Sequence, residues 1–210
     1  MDFNLFKNNL IKLSSLEVGG IDAQFKLAPK IRTKYTESFV VSQKPKKAAV
    51  LVLFYPNEQG KTTFLLTKRA SYNGTHSSQI SFPGGKLDKK DISLKSTALR
   101  ETKEEVDIDE KQITVFKQMT DLYIPPSNFL VTPFLSFLDS KPNFNKNHEV
   151  AEIIHVSLDD LLNEETVSSE ILSTSYAKNF EVPCYKLNNY IVWGATAMIL
   201  SEIKELIQKL

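Results

Sequence analysis

Gly85 to Ile108 reads GKLDKKDISLKSTALRETKEEVDI, and the change of rhythm within it decides the reading of the fold. From Ser93 to Val106 the residues Leu94, Ala98, Thr102 and Val106 recur every four positions, a ladder down one side of a helix. Asp91 or Ser93 is available to cap its first turn. Glu101, Glu104 and Glu105 stand at i, i+3 and i+4. At ~100° per residue they share one arc, roughly a quarter of the helix circumference. Like charges at this spacing cost about 0.2–0.5 kcal/mol per pair, so something must compensate. A solvated face beside Arg100 and Lys103 is one compensation. A bound Mg²⁺ or Mn²⁺ is the other, since hard cations take carboxylate oxygens on a rigid element.

Upstream, Phe82-Pro83-Gly84-Gly85 demands a tight turn at the end of a polar loop, residues 70–81. Ala48 to Tyr55 is apolar enough for a buried strand, Pro56 to Gly60 is a turn, and Thr62 to Thr67 is a second strand, which together predict a hairpin. Downstream, strands are expected at Gln112 to Gln118, Leu130 to Leu138, Glu149 to Val156 and Tyr190 to Val192. Helices are expected at Leu158 to Leu162 and Gly194 to Leu210. Phe3, Phe6, Leu10 and Ile11 lie at helical spacing near the start, read as a short packed helix rather than a targeting peptide. The pattern predicts an α/β or α+β sandwich. It forms one domain over 1–210, with a helical extension at about 1–25, a core at 44–160 and a closing helix at 194–210.

The 26 basic and 25 acidic side chains leave a net charge of +1. That balance gives no electrostatic case for nucleic acid or an anionic membrane surface. No apolar run approaches the ~18 residues of a membrane span. A single cysteine, Cys184, excludes an intrachain disulfide and fits a reducing compartment, with cytoplasm as the default. Its proline-flanked apolar setting suggests a buried thiol. The three histidines lack zinc-ligand spacing. Gly60-Lys61-Thr62 ends like a phosphate-binding loop, but Tyr55 occupies the position of the required earlier glycine, so it is a hairpin turn.

Context weighs for the metal. The segment 85–108 resembles the Nudix box, G-x5-E-x7-R-E-U-x-E-E-x-G-U, with U an apolar residue. Gly85, Arg100, Glu101, Glu104, Glu105 and Ile108 fill matching roles. Asp91 stands in place of the first Glu, one residue further from Arg100 than the pattern has it, and Asp107 replaces the last Gly. Leu65 to Gly85, LLTKRASYNGTHSSQISFPGG, is similar to the signature of the coenzyme A pyrophosphatase branch of that family. Gly74 and Ser78 stand where the branch has Arg and Gly. Lys26 to Arg32, Val131 to Pro133 and Ile191 to Leu200 also resemble it.

The resemblance implies a mixed sheet between helices and hydrolysis of a pyrophosphate bond with Mg²⁺ or Mn²⁺. Coenzyme A or an acyl derivative is the implied substrate, giving phosphopantetheine and adenosine 3′,5′-bisphosphate. Glu101 and Glu105 would be the principal metal ligands, and Glu104 an auxiliary ligand or the water-activating base. Arg100 would orient a neighbouring carboxylate, and Gly84 and Gly85 would let the backbone approach the ligand. Arg69 could bind substrate phosphate or make a structural salt bridge. Without an arginine at 74, Arg69, Lys68 and Lys86 are the cations left for a 3′-phosphate. Glu149 and Glu152 are further candidates for the base, or else open a strand on its solvent side. His76 reads as a loop residue, and Trp193 as packing for the last helix rather than a stacking platform. Other readings are ADP-ribose or a dinucleotide as substrate, and a nucleotide-binding protein that cleaves nothing. A homodimer is compatible with all of them.

Overall fold

The computed structural model describes residues 1–70, 79–173 and 179–210. Gly74, His76 and Ser78 lie outside them. Eleven strands and seven α-helices are described. β1 (Lys46–Pro56) and β2 (Thr62–Arg69) form the expected hairpin, pairing antiparallel at Phe54–Phe64 and Pro56–Thr62, with Gly60 at positive φ in the turn. β3 (Ile80–Ser81) and β4 (Gly84–Lys86) follow, then α5 (Leu94–Val106), which is preceded in the chain by α1 (Phe3–Asn8), α2 (Leu10–Ser15), α3 (Gly20–Phe25) and α4 (Glu37–Ser42). β5 (Thr114–Gln118), β6 (Leu122–Ile124), β7 (Phe129–Phe137) and β8 (Val150–Ser157) complete an eight-stranded sheet. α6 (Leu158–Leu162) leads to a separate three-stranded sheet of β9 (Val167–Leu172), β10 (Phe180–Leu187) and β11 (Tyr190–Trp193), and α7 (Gly194–Ile207) ends the fold.

β1 is the spine. One edge runs parallel to β7 from Lys46–Phe129 to Phe54–Phe137. The other edge is divided: β2 takes Phe54 to Pro56, while β4 takes Ala48 to Val50. Both faces of β1 are buried, as befits a central strand. Its odd residues Ala49, Leu51 and Leu53 pack with Ala98 and Val106 of α5. Its even residues Val52 and Phe54 join the larger cluster with Phe3 and Phe6 of α1 and Ile199 and Ile203 of α7. The mixed sheet therefore lies between helices, as the sequence predicts.

The start of the chain forms two short helices joined at Asn9, with Phe3, Phe6 and Leu13 buried and Ile11 left to solvent. α3 is fastened to α7 by Glu202, a fully buried carboxylate that accepts from Gly20 N, Gln24 Nε2 and Thr120 Oγ1 at 3.0, 3.0 and 2.5 Å. Cys184 is a free, buried thiol, as expected. Among the described residues no helix is long and apolar enough to cross a membrane.

Candidate active site

Ser93 caps α5, its hydroxyl accepting from Ser96 N while Ser96 Oγ accepts from Ser93 N. Asp91 has another task. Its two oxygens receive Arg100 Nε and Nη2, each at 2.9 Å, and also Thr97 Oγ1 and Asp88 N at 2.9 Å. These bonds from Arg100 hold the Asp91 carboxyl well below the usual carboxylate range. The extra residue between Asp91 and Arg100 is absorbed in the turn Asp88–Asp91, closed by Asp91 N to Asp88 O at 3.1 Å. At the other end of the helix Asp107 adopts the left-handed conformation, φ 61°, that the box reserves for glycine.

Arg100 thus forks onto Asp91 and extends its free nitrogen Nη1 to Glu101 at 2.9 Å and Glu104 at 3.1 Å. It aligns the helix carboxylates without lining the pocket they face. Glu105 is only 3% exposed. It accepts from Gly84 N at 3.3 Å and faces Arg69 Nη1 at 3.7 Å. Burial lifts its carboxyl to about 7, against the opposing pull of Arg69 and the Gly84 N–H. Burial also raises Glu101, less what Arg100 gives back. A buried and a half-buried carboxylate whose ionisation is disfavoured by burial, Glu105 and Glu101, together with Glu104 and Glu149, form a hard-oxygen donor set. Among the described residues no three such side chains already converge on one point. Glu101 and Glu104 are turned to Arg100, and Glu105 to Arg69. A divalent cation fits this set.

Gly84 and Gly85 bring the backbone against the box. Gly84 has φ 151°, and a Cβ there would lie 2.3 Å from Ala49 O. At Gly85 a Cβ would lie 2.4 Å from Cδ of Glu101, so that carboxylate rests directly on the Gly85 backbone.

Arg69 ends β2 at an irregularity in register between Lys68 and Arg69, which re-aims its side chain. Its guanidinium lies between Glu105 and Glu149 Oε2, the latter at 3.8 Å, and its buried Nε has no hydrogen-bond partner among the described residues. Both readings of Arg69 therefore coexist: it is ion-paired, loosely, and it lines the pocket. Of the other cations, Lys86 is in the pocket wall, whereas Lys68 is corrected out of it, its ammonium lying 5.7 Å over the Tyr190 ring.

Glu149 and Glu152 part company. Glu149 lines the pocket beside Arg69 while its side chain stays half exposed to solvent. Glu152 pairs across the sheet with Lys68 and accepts from Tyr190. The register irregularity opposite Lys68 and Arg69 falls between the two, so simple alternation does not relate their directions.

The pocket holds about 720 Å³. Glu101, Glu104, Glu105 and Glu149 form its acidic part; much of the remainder is apolar, including Val50, Phe129, Phe180, Trp193 and Ile199. Trp193 immediately precedes α7, meets Phe180 of β10 edge-on, 6.3 Å between centroids and 73° between planes, and walls the pocket. Sequence reasoning does not assign Phe129, Phe180 or residues 29–35 to the site: Lys26 to Arg32 is marked only by its resemblance to the coenzyme A branch, and Phe129 and Phe180 stand in no motif.

A model of the NUDIX domain matches residues 45–174. The Nudix hydrolase NudL of Photorhabdus laumondii, itself uncharacterized, is 34% identical over 149 residues, covering 70% of this chain and 79% of that protein. NudL of Yersinia pestis, likewise uncharacterized, is 32% identical over 171 residues, covering 81% and 84%. A solved Nudix hydrolase from M. smegmatis, RenU, matches with a TM-score of 0.57 at 16% identity, covering 88% of this chain and 94% of its own, a likeness of fold alone.

Proposed function

The chain belongs to the NUDIX family and is a pyrophosphohydrolase, and from that premise we propose that it cleaves the diphosphate of coenzyme A or an acyl derivative, with Mg²⁺ or Mn²⁺. The products are phosphopantetheine and adenosine 3′,5′-bisphosphate. The observation that carries this reading is one pocket in which four glutamates and three cations, Arg32, Arg69 and Lys86, adjoin extended apolar walls. Such a pocket suits a diphosphate joined to a largely uncharged organic group.

Nudix hydrolases generally use divalent cations, and Glu101 and Glu105 would hold one here, with Glu104 beside them. When bound, the cation polarises the diphosphate and makes water easier to deprotonate. The chain does the rest. Asp91 fixes Arg100, and Arg100 fixes the orientation of Glu101 and Glu104. Arg69 and Lys86 meet the charge of the phosphates. Glu104 or Glu149, the pocket carboxylates less needed for holding the cation, takes the proton from the attacking water.

The substrate is tested with a panel of coenzyme A, acyl derivatives, ADP-ribose and dinucleotides, each with Mg²⁺ and with Mn²⁺. Good turnover of ADP-ribose with none of coenzyme A or its esters would defeat the substrate assignment. Binding without any turnover would favour a nucleotide-binding role instead.

The base is tested by three glutamine variants at saturating metal. Glu152→Gln should keep kcat within about twofold, while Glu104→Gln or Glu149→Gln should lose about 10²-fold or more, the usual worth of a positioned base. A large loss in Glu152→Gln alone would overturn the assignment.

A further inference from the structure

The pocket has a wall that the matched domain does not supply. Residues 26–43 form an arm that precedes the matched residues and crosses the mouth of the site, placing Pro29, Ile31 and Tyr35 in its lining. The arm is fastened at a few points. Arg32 Nη2 donates to Tyr123 O, and the Tyr35 ring meets Tyr123 edge-on at 5.7 Å. Helix α4 within the arm buries none of its residues. Ile31 is 64% exposed and Tyr35 39%, although both belong to the pocket lining. Across from them stand Pro125, Pro126 and Phe129.

The shape of this apolar surface selects its occupant. A purine would need an open aromatic face. Those near the arm each have one face engaged: Tyr35 stacks on Phe39 at 4.7 Å and 13°, and Phe129 carries the Lys46 ammonium 5.7 Å over its ring. Beside them Pro29, Ile31, Pro125 and Pro126 add aliphatic and proline surface, which suits a flexible alkyl chain better than a flat heterocycle. The Phe180–Trp193 side of the pocket is the better place for a ring. The surface is continuous with the glutamates, so a ligand held there by its diphosphate can lay a tail along the arm.

We propose that the arm, through Ile31 and Tyr35 facing Pro125 and Phe129, is a subsite for an apolar acyl tail carried by the diphosphate substrate. This rests on the coenzyme A reading above and goes beyond it by assigning the tail a place and its recognition to residues outside the matched domain. Several buried methylenes at about 0.8 kcal/mol each would give an acyl chain at least a tenfold advantage, even when only partly covered.

Two measurements test it. The first is kcat/KM for coenzyme A and for S-octanoyl coenzyme A, in the wild type and in an Ile31→Ser/Tyr35→Ser double variant whose folding is checked by thermal melting. The wild type should favour the octanoyl ester about tenfold or more, mainly through KM, and the double variant by less than about threefold. Cleavage of both substrates with no chain preference overturns the subsite and leaves the coenzyme A reading intact. The second is calorimetric titration with S-octanoyl pantetheine, which carries no diphosphate and requires no turnover. Binding that weakens at least fivefold in the double variant supports the subsite even if coenzyme A is not a substrate. Equal binding by both proteins, or none by the wild type, overturns it.

Discussion

Glu105→Gln should lower kcat by about 10²-fold or more while raising the melting temperature of the metal-free protein. The two effects have one origin. Glu105 is buried, and its carboxyl is raised to about 7 because solvent has been removed from it. A folded-state pKa above the unfolded value of 4.5 means that stability falls as pH rises from about 4.5 to about 7, and stays at the lower level above that. A glutamine has no charge to bury, so the variant should escape that loss, which amounts to at most about 3 kcal/mol. Its advantage in melting temperature should grow between pH 5 and 7, roughly, and then level off. The measurement is a pair of melting series in chelator alongside kcat at saturating Mg²⁺. Undiminished turnover of the variant, or of the wild type in excess chelator, would sink the metal mechanism. A lower melting temperature at pH 8 would show that the carboxylate is fully compensated by Arg69 and is a structural ion pair.

Much of this arrangement was legible before any coordinates, and the reason differs from element to element. The hairpin of β1 and β2 and the helices α5, α6 and α7 announce themselves through local rules: a continuous apolar run, a turn with glycine, a four-residue ladder, a cap. Of the second sheet only β11 does. In β9 the alternation is inverted, with Val167 and Ile171 exposed, so the usual inward apolar rhythm is missing. In β10 Pro183 argues against a strand, yet it is accommodated within the three-stranded sheet opposite Ser169.

The site divides in the same way. The identity of Glu101, Glu104 and Glu105 is a helical spacing, and spacing is visible in sequence. The partners that set their charge come from β2, from the start of β8 and from the turn before α5, and only the folded register brings Arg69, Glu149 and Asp91 to them. Asp91 could be noticed as a displaced acid, but its use as the anchor of Arg100 depends on the turn that takes up the additional residue. The arm gave no signal beyond its resemblance to the coenzyme A branch: Ile31, Tyr35 and Phe39 recur every four positions, yet only Glu37–Ser42 there is helical and α4 buries none of its own residues.

The two glycines before the box should separate folding from function. An added Cβ at Gly84 collides with backbone: Ala49 O at 2.3 Å and Val50 Cα at 2.7 Å, in a chain held at φ 151°. Neither the clash nor the backbone angle can be relieved by turning a side chain. Gly84→Ala should therefore destabilise by roughly 2–5 kcal/mol, enough to deplete soluble protein. At Gly85 the three nearest atoms are all the carboxyl group of Glu101, at 2.4 to 2.6 Å. That group is the free end of a flexible side chain, and β4 keeps its pairing with Ala49 whatever stands at 85. Gly85→Ala should melt within a few degrees of the wild type, because a displaced rotamer of the half-buried Glu101 costs only about 0.5–1.5 kcal/mol. Its catalysis should fare much worse. The Glu101 carboxylate is pushed off the Gly85 backbone, so a cation it shares with Glu105 would lose a ligand or be held out of place. A fall in kcat/KM of about 10²-fold is expected, with more Mg²⁺ needed for half activation. Full activity at ordinary Mg²⁺ in a well-folded Gly85→Ala protein would mean that the place of Glu101 on that backbone is incidental, and would remove it from the set of ligands.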